Sequence, residues 1–457
     1  MLSNRRMRLL CTVIAYPWLA TVATWAAVQA AGTASGLEHG KPPNVVLIVS
    51  DDHHWRDYGF MGHEHLRTPH LDRLARESLV YRRAYVTSSL CCPSLASIIT
   101  GRYPHEHRIV GNDPPGGKDV FATGRERMNQ HLAEWPTLPR LLGMRGFLSL
   151  QTGKWWQGDF SRGGFTEGMT KGGRHGDEGL GIGRTTLQPI YDFIGRCRRD
   201  TKPFFIWYAP MLPHDPHDPP ADLVEHYAAK TDSIHVARYW GNVERFDRTV
   251  GELLGHLDGE QLSKDTLVVY VTDNGWIQDP QAARFAPRSK LSSYDGGLRT
   301  PIMLRRPGTI EPKMSDALAS AIDIAPTVLA ACGVEPPEGL PGVNLLDENA
   351  VAGRKQIFGE CYTHTIIDLD DPAKSLLWRW TVRDKWKLIV PATAGGGIGH
   401  AGYESRNTDP DSQARYERGE IELFDIVADP AETTNLAAAL PEIVRTLLAN
   451  LDGWWKP

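Results

Sequence analysis

The sequence predicts an α/β fold, a large mixed and mostly parallel sheet flanked by helices, with a smaller C-terminal α+β subdomain. Three observations carry this prediction. Short apolar runs alternate with stretches whose apolar residues recur every three to four positions, the alternation expected of strand–helix units. The runs Asn44–Ser50 (NVVLIVS) and Thr266–Thr272 (TLVVYVT) are dense in valine, as in strands covered on both faces of a parallel sheet. After about Pro341 the pattern changes to loops rich in Gly, Asp and Pro between shorter runs.

The elements follow in order. Arg5, Arg6 and Arg8 precede an apolar run from Leu9 to about Val28, and small residues follow at Ala30, Ala31 and Gly32. This reads as a secretory signal peptide over residues 1–30, so the mature protein is expected outside the cytoplasm, secreted or periplasmic. The run approaches spanning length, so an uncleaved anchor is the alternative. With cleavage, no stable membrane insertion is expected. Residues 42–340 read as the main domain. Its strands are Asn44–Ser50, Phe147–Gln151, Phe204–Ala209 and Thr266–Thr272, and its clearest helices are Leu71–Val80 and Asn242–Leu257. The glycine-rich stretch Gly163–Gly183 lacks the Gly-Lys-Ser/Thr ending of a phosphate loop and reads as a mobile loop over a pocket. Residues 341–457 read as the subdomain. It has strands at Trp378–Val382, Trp386–Val390 and Ile421–Ile426, an insertion at about Ala392–Gly419, and a final helix near Pro441–Leu451.

Composition narrows the function. Of 457 residues 41% are hydrophobic and 23% charged, an ordinary globular balance, and the net charge is −5. No clustered basic face is evident, so a nucleic-acid partner is not expected. Six cysteines are present, and Cys11 leaves with the signal. The remaining five, Cys91, Cys92, Cys197, Cys332 and Cys361, are an odd number, so at least one is unpaired or chemically altered.

Each strand run ends in reactive residues: Asp51-Asp52, Thr152-Gly153-Lys154, Pro213-His214 and Asp273-Asn274. Open α/β sheets bind ligands at the carboxyl ends of their strands, so these four ends predict one polar site. Asp51, Asp52, Asp273 and Asn274 offer only oxygen ligands, which suit Ca²⁺ or Mg²⁺. Each pair alone would also serve as a helix N-cap. His53, His54, His105 and His107 lack zinc spacing and read as pocket-wall or structural residues. Trp155, Trp156 and Trp207 read as core, with sugar stacking as the alternative. Pro93 and Gly101 bracket a short helix, so Cys91 falls just before a helix N-terminus, where an anion is favoured. A cysteine there is a candidate thiolate nucleophile, or a buried structural residue.

The ordered blocks resemble the type I sulfatases, of the alkaline-phosphatase-like superfamily. They are Asn44–Asp52, Thr68–Ala75, Cys91-Cys92-Pro93-Ser94 with Thr100-Gly101-Arg102-Tyr103-Pro104-His105, Thr152-Gly153-Lys154-Trp155, Pro213-His214-Asp215-Pro216, Thr272-Asp273-Asn274-Gly275 and Lys290 before Asp295–Pro301. Glu422–Asp425 and Asp429–Glu432 continue the match. The resemblance implies hydrolysis of a sulfated small molecule or carbohydrate. It implies that Cys91 is oxidised to formylglycine by a formylglycine-generating enzyme, and that the hydrated aldehyde attacks sulfur. It places the metal on Asp51, Asp52, Asp273 and Asn274, the sulfate on Lys154 and Lys290, and a general acid at His214. Two positions depart from the family. Leu95 stands where arginine is usual, and Trp156 where histidine is usual. Arg56, Arg67, Arg102 or His105 are candidates to compensate. The departures keep two rivals open: a phosphate or phosphonate ester hydrolase on the same fold, and a catalytically silent protein that binds sulfated ligands.

Overall fold

The computed structural model describes residues 41–116, 121–392 and 410–457. The signal-peptide reading of residues 1–30 falls outside the described residues. So does most of the insertion expected at Ala392–Gly419, whose described end is the helix Pro410–Glu417.

The main sheet contains β1 (Asn44–Ser50), β2 (Leu79–Tyr85), β3 (Leu148–Gly153), β4 (Glu167–Gly168), β5 (Phe204–Ala209), β6 (Thr266–Thr272), β7 (Arg299–Arg305) and β8 (Lys313–Ser320). Their spatial order is β4-β3-β5-β1-β6-β7-β2-β8. The valine-rich β1 sits at the centre with all seven residues buried, pairing in parallel with β5 and β6; Leu47 lies opposite both Trp207 and Val269. β3 runs parallel to β5. The carboxyl ends of β1, β3, β5 and β6 therefore share one edge of the sheet, as predicted. β7 is antiparallel to both β6 and β2, which makes the sheet mixed. Alternate residues of the strands feed two cores, Val45, Leu47, Val49 and Trp207 on one face and Val46, Ile48, Ile206 and Tyr270 on the other.

Three local expectations are corrected. The helix expected at Leu71–Val80 is α1, Pro69–Arg76, and Val80 already belongs to β2. The Ser78 hydroxyl donates to the Leu74 carbonyl at 2.6 Å as the helix ends, and Val80 and Tyr81 pair with strands on both sides. Tertiary pairing thus overrides a helical spacing pattern. The strand expected at Phe147–Gln151 runs on to Gly153, which lies opposite Ala209. The stretch Gly163–Gly183 is tied down rather than free. Glu167–Gly168 pairs with β3, the Thr170 amide donates to Gln151 (3.1 Å), and the Trp155 amide donates to the His175 carbonyl (2.9 Å). The remaining long helix, Ile234–Gly259, encloses the expected Asn242–Leu257.

The second sheet has the order β12-β11-β10-β9 and is antiparallel throughout: β9 (Gln356–Tyr362), β10 (Leu376–Arg383), β11 (Trp386–Pro391) and β12 (Glu422–Asp425). The helix Pro441–Trp454 covers it through Leu447 and Leu451, packed with Leu388, Val390 and Leu423. Lys387 on β11 is fully buried and pairs with Asp295 (2.9 Å) and Glu432 (2.8 Å). This ties the second sheet to the segment that follows Lys290.

Gly153 is the pivot between β3 and Lys154. Its φ is +76°, and a Cβ there would lie 1.9 Å from the Ala209 carbonyl oxygen. Gly153→Ala is expected to destabilise the fold by at least about 2 kcal/mol, seen as a lower denaturation midpoint. An unchanged midpoint would contradict this close approach.

Candidate active site

Cys91 opens the helix α2, Cys91–Thr100, one residue further in than the sequence placed it. Leu90 is the extended N-cap, and Gly101 ends the helix at φ +71°. The Cys91 thiol is buried at the free-amide end of α2, and the Lys290 ammonium reaches its sulfur at 3.2 Å. Burial pushes this thiol up, but Lys154 and Lys290 outweigh it and bring it down to about 7. Its neighbour Cys92 is pushed up to about 12 by burial and receives a hydrogen bond from Gln157 (3.1 Å). The two adjacent cysteines are thus chemically distinct, and only Cys91 is poised to carry negative charge.

Around Cys91 the four strand ends converge. Lys154, at the end of β3, donates to Asp51 at 2.6 Å and lies 3.5 Å from Asp273. Lys290 donates to both oxygens of Asp52, at 2.7 and 2.8 Å. The Asn274 amide donates to Asp52 (2.6 Å), and the Asp52 backbone amide donates to Asp273 (3.1 Å). His214 Nε2 stands 3.3 Å from Asp52, and its Nδ1 lies 2.8 Å from the Asp215 carboxylate. Burial opposes charge on His214, but Asp51, Asp52 and Asp215 hold its pKa up at about 10. Carboxylates likewise outweigh burial at Lys154 and Lys290, which are held well above the usual ammonium range.

The donor set fits a hard divalent cation. Asp51 Oδ2, Asp273 Oδ2 and Asn274 Oδ1 are all buried and have no hydrogen-bond donor among the described residues. Buried lone pairs without a partner are costly, and oxygens of this kind are the hard ligands that Ca²⁺ or Mg²⁺ takes. Burial and the neighbouring Asp51 push the Asp273 carboxyl well above its usual range. Ligand atoms of Asp51, Asp52, Cys91 and His214 all lie within 4.8 Å of one another. Asp273 and Asn274 adjoin this group through the bonds to Asp52.

A Sulfatase family model matches residues 43–334, which include every one of these residues. The chain belongs to the sulfatase family. A second model, N-sulphoglucosamine sulphohydrolase, C-terminal, matches residues 288–390 of this sulfatase. Arylsulfatase A of Homo sapiens is 25% identical over 91% of the chain and 88% of that protein. The N-acetylgalactosamine-6-sulfatase of Canis lupus familiaris is 28% identical over 67% of the chain and 66% of that protein. Among solved structures, Ps i-CgsB in complex with k-i-k-neocarrahexaose superposes with a TM-score of 0.71 at 20% identity, covering 91% of this chain and 93% of that one. The phosphonate monoester hydrolase of Agrobacterium radiobacter shares the fold at a TM-score of 0.63 and 17% identity, covering 90% and 95%.

The structure also places the residues that depart from the family pattern. Leu95, one turn along α2 from Cys91, is 1% exposed and packs in the core beside Cys91. None of the four candidates to replace its charge is directed to Cys91. Arg67 is held by Glu244 (2.8 Å), Arg102 by Glu106 (3.1 Å), His105 by Glu360, and Arg56 lies over the Trp55 ring. Trp155, Trp156 and Trp207 are buried, so the core reading holds and sugar stacking on them does not. His53 is buried between Ser50 and the Asp57 carbonyl, and His107 bonds Ser97, both structural roles. Sequence reasoning missed Asp215, which orients His214, and the pair Arg174–His175. The signal for the latter was two polar, chemically capable side chains inside an otherwise glycine-rich stretch.

Proposed function

We propose that this sulfatase hydrolyses a sulfate monoester on a carbohydrate, with formylglycine formed at position 91 and one Ca²⁺ or Mg²⁺ on Asp51, Asp52, Asp273 and Asn274. The carrying observation is the charge-lowered Cys91 thiol at a helix N-terminus, flanked by two buried lysines and by three buried oxygens without donors among the described residues. The carbohydrate follows from the N-acetylgalactosamine-6-sulfatase relative and from the oligosaccharide held by Ps i-CgsB. Export as a secreted or periplasmic protein follows from the N-terminal signal pattern, and maturation calls for a formylglycine-generating enzyme. Residues 42–340 form the catalytic domain in this reading, and residues 341–457 the C-terminal subdomain.

The chain's own groups divide the work. Lys154 and Lys290 bind sulfate oxygens and offset the charge that builds on them. Asp215 holds Nδ1 of His214, which leaves a proton at Nε2 for the departing alcohol oxygen. Formylglycine would supply, as its hydrate, an oxygen nucleophile for sulfur. The cation would supply Lewis acidity to the sulfate oxygens.

Mass spectrometry on protein from a host that modifies other sulfatases tests the nucleophile. The tryptic peptide Ala84–Arg102 holds both Cys91 and Cys92. A mass deficit on Cys91 alone, with an aldehyde trapped by a hydrazide, is expected. An intact thiol at Cys91 would overturn the formylglycine reading, and a preference for aryl phosphate over aryl sulfate would then favour the phosphatase-like rival.

A further inference from the structure

The glycine-rich segment places a pair of side chains at this site that the reaction described above does not use. His175, Gly176 and Asp177 adopt three successive positive φ values, 70°, 137° and 49°. Such backbone costs on the order of 1 kcal/mol or more per non-glycine residue and persists only where the surroundings impose it. Here they do. The Asp177 carboxylate accepts from the amides of Lys171 (2.8 Å) and Gly173 (2.7 Å), and the Thr170 hydroxyl donates to the Gly176 carbonyl (3.1 Å). Gly176 approaches the Gly153 carbonyl so closely that a Cβ would lie 2.4 Å from it.

The strained hook presents His175 and Arg174. The His175 ring packs edge-on against Trp156 with centroids 4.3 Å apart, and lies 6.0 Å from the His214 ring. Arg174 lies over the same Trp156 ring, 5.0 Å from its centroid, with 44% of its side chain exposed. Arg174 is oriented by Asp113, through Nε at 3.2 Å and Nη2 at 3.1 Å. Its Nη1 lies 3.1 Å from His175 Nε2. Guanidinium only donates, so Nε2 accepts, and a neutral imidazole then carries its proton on Nδ1. Burial, then Lys154, Arg174, His214 and Lys290, push the His175 pKa down to about 2. The four charges that act on it most are all positive, and the ring is held neutral as a donor. The Trp156 indole N–H, on the ring both side chains touch, is buried and has no acceptor among the described residues. The patch therefore offers donors and positive potential beside the leaving-group histidine, the complement of an oxyanion.

We propose that Arg174 and His175 form a second oxyanion subsite beside the scissile sulfate, which takes a carboxylate or a further sulfate group of the same substrate. The subsite rests on the sulfate-ester reading and sharpens it, since the favoured carbohydrate is then one with a second anionic group near the ester that is cut.

The test uses phenyl sulfate, 4-carboxyphenyl sulfate and 1,4-phenylene disulfate with the full-length wild type, Arg174→Gln and His175→Gly. Glycine tolerates the positive φ at position 175, so this variant keeps the hook. For the two dianionic probes, kcat/KM is expected to fall about 10- to 100-fold in each variant, chiefly through KM, as expected for one lost charge-assisted contact. For phenyl sulfate it is expected to stay within about 2-fold, because no second anion is present. A fall confined to 4-carboxyphenyl sulfate identifies a carboxylate as the natural group, and one confined to the disulfate a second sulfate. Equal falls on all three probes, or none, would overturn the subsite. If the wild type releases no sulfate from any probe, the sulfatase mechanism fails separately. Calorimetric binding of 4-carboxyphenyl sulfate then decides the subsite: weaker binding by Arg174→Gln supports it, and equal binding removes it.

Discussion

Cys91→Ala is expected to lower the rate of sulfate release by on the order of 10⁴-fold or more, while Cys92→Ala keeps activity within a few-fold. The two thiols are neighbours in sequence and equally buried, so burial does not separate them. Charge does. Lys290 reaches the Cys91 sulfur, whereas Cys92 faces Gln157 and is pushed towards the neutral thiol. Neither change removes a large side chain, so each is expected to cost about 1 kcal/mol of stability, which circular dichroism and denaturant unfolding check. Loss of activity in Cys92→Ala with retention in Cys91→Ala would reverse the assignment of the nucleophile.

The second large effect is expected at Asp273→Asn, and its signature has two parts. Asparagine keeps the shape and the acceptor for the Asp52 and Asn274 amides but removes a negative charge. Affinity for Ca²⁺ is expected to fall by roughly 10²-fold or more, with sulfate release falling accordingly at limiting metal. In the wild type, Ca²⁺ at about 100 times its dissociation constant is expected to add roughly 2.7 kcal/mol of stability, a gain that the variant lacks at the same concentration. Without metal the order is expected to reverse. Burial and Asp51 disfavour the charged Asp273 carboxylate, so the chelated variant should melt at or above the chelated wild type. Calcium titrations followed by thermal unfolding read both parts. A melting temperature that responds equally to Ca²⁺ in both proteins would remove Asp273 from the metal site.

Much of the site was legible because β1, β5 and β6 are local, strongly apolar runs whose ends carry the reactive residues. Their bounds in the structure, Asn44–Ser50, Phe204–Ala209 and Thr266–Thr272, match the runs themselves. Parallel strands with covered faces leave this plain signal, and ligands gather at their carboxyl ends. Where the pattern was ambiguous, reading failed. Leu71–Val80 carries helical spacing across a real boundary, because Val80 answers to its partners on β7 and β8 and not to the preceding turn. Gly163–Gly183 looked free because glycine is permissive, yet here the absence of Cβ atoms lets the segment press against Gly153.

The sequence by itself determined the fold class, the strand ends that build the site, and the identities of the residues proposed for metal, sulfate and nucleophile. The fold class and the strand ends are written in periodicity and residue type within short stretches of chain, while the roles proposed for the sulfate-binding lysines and the nucleophile come from the resemblance to the type I sulfatases. Only the tertiary structure decided how the charges pair: Lys154 with Asp51, Lys290 with Asp52 and Cys91, and His214 between Asp52 and Asp215. It alone showed that Arg67, Arg102 and His105 are held elsewhere, and that a strained glycine-rich hook brings Arg174 and His175 to the site. The physical reason is range. Propensity and burial act within a few residues, whereas a Coulomb or hydrogen-bond partner is fixed by distance in space, which the chain sets only once the sheet has closed its order.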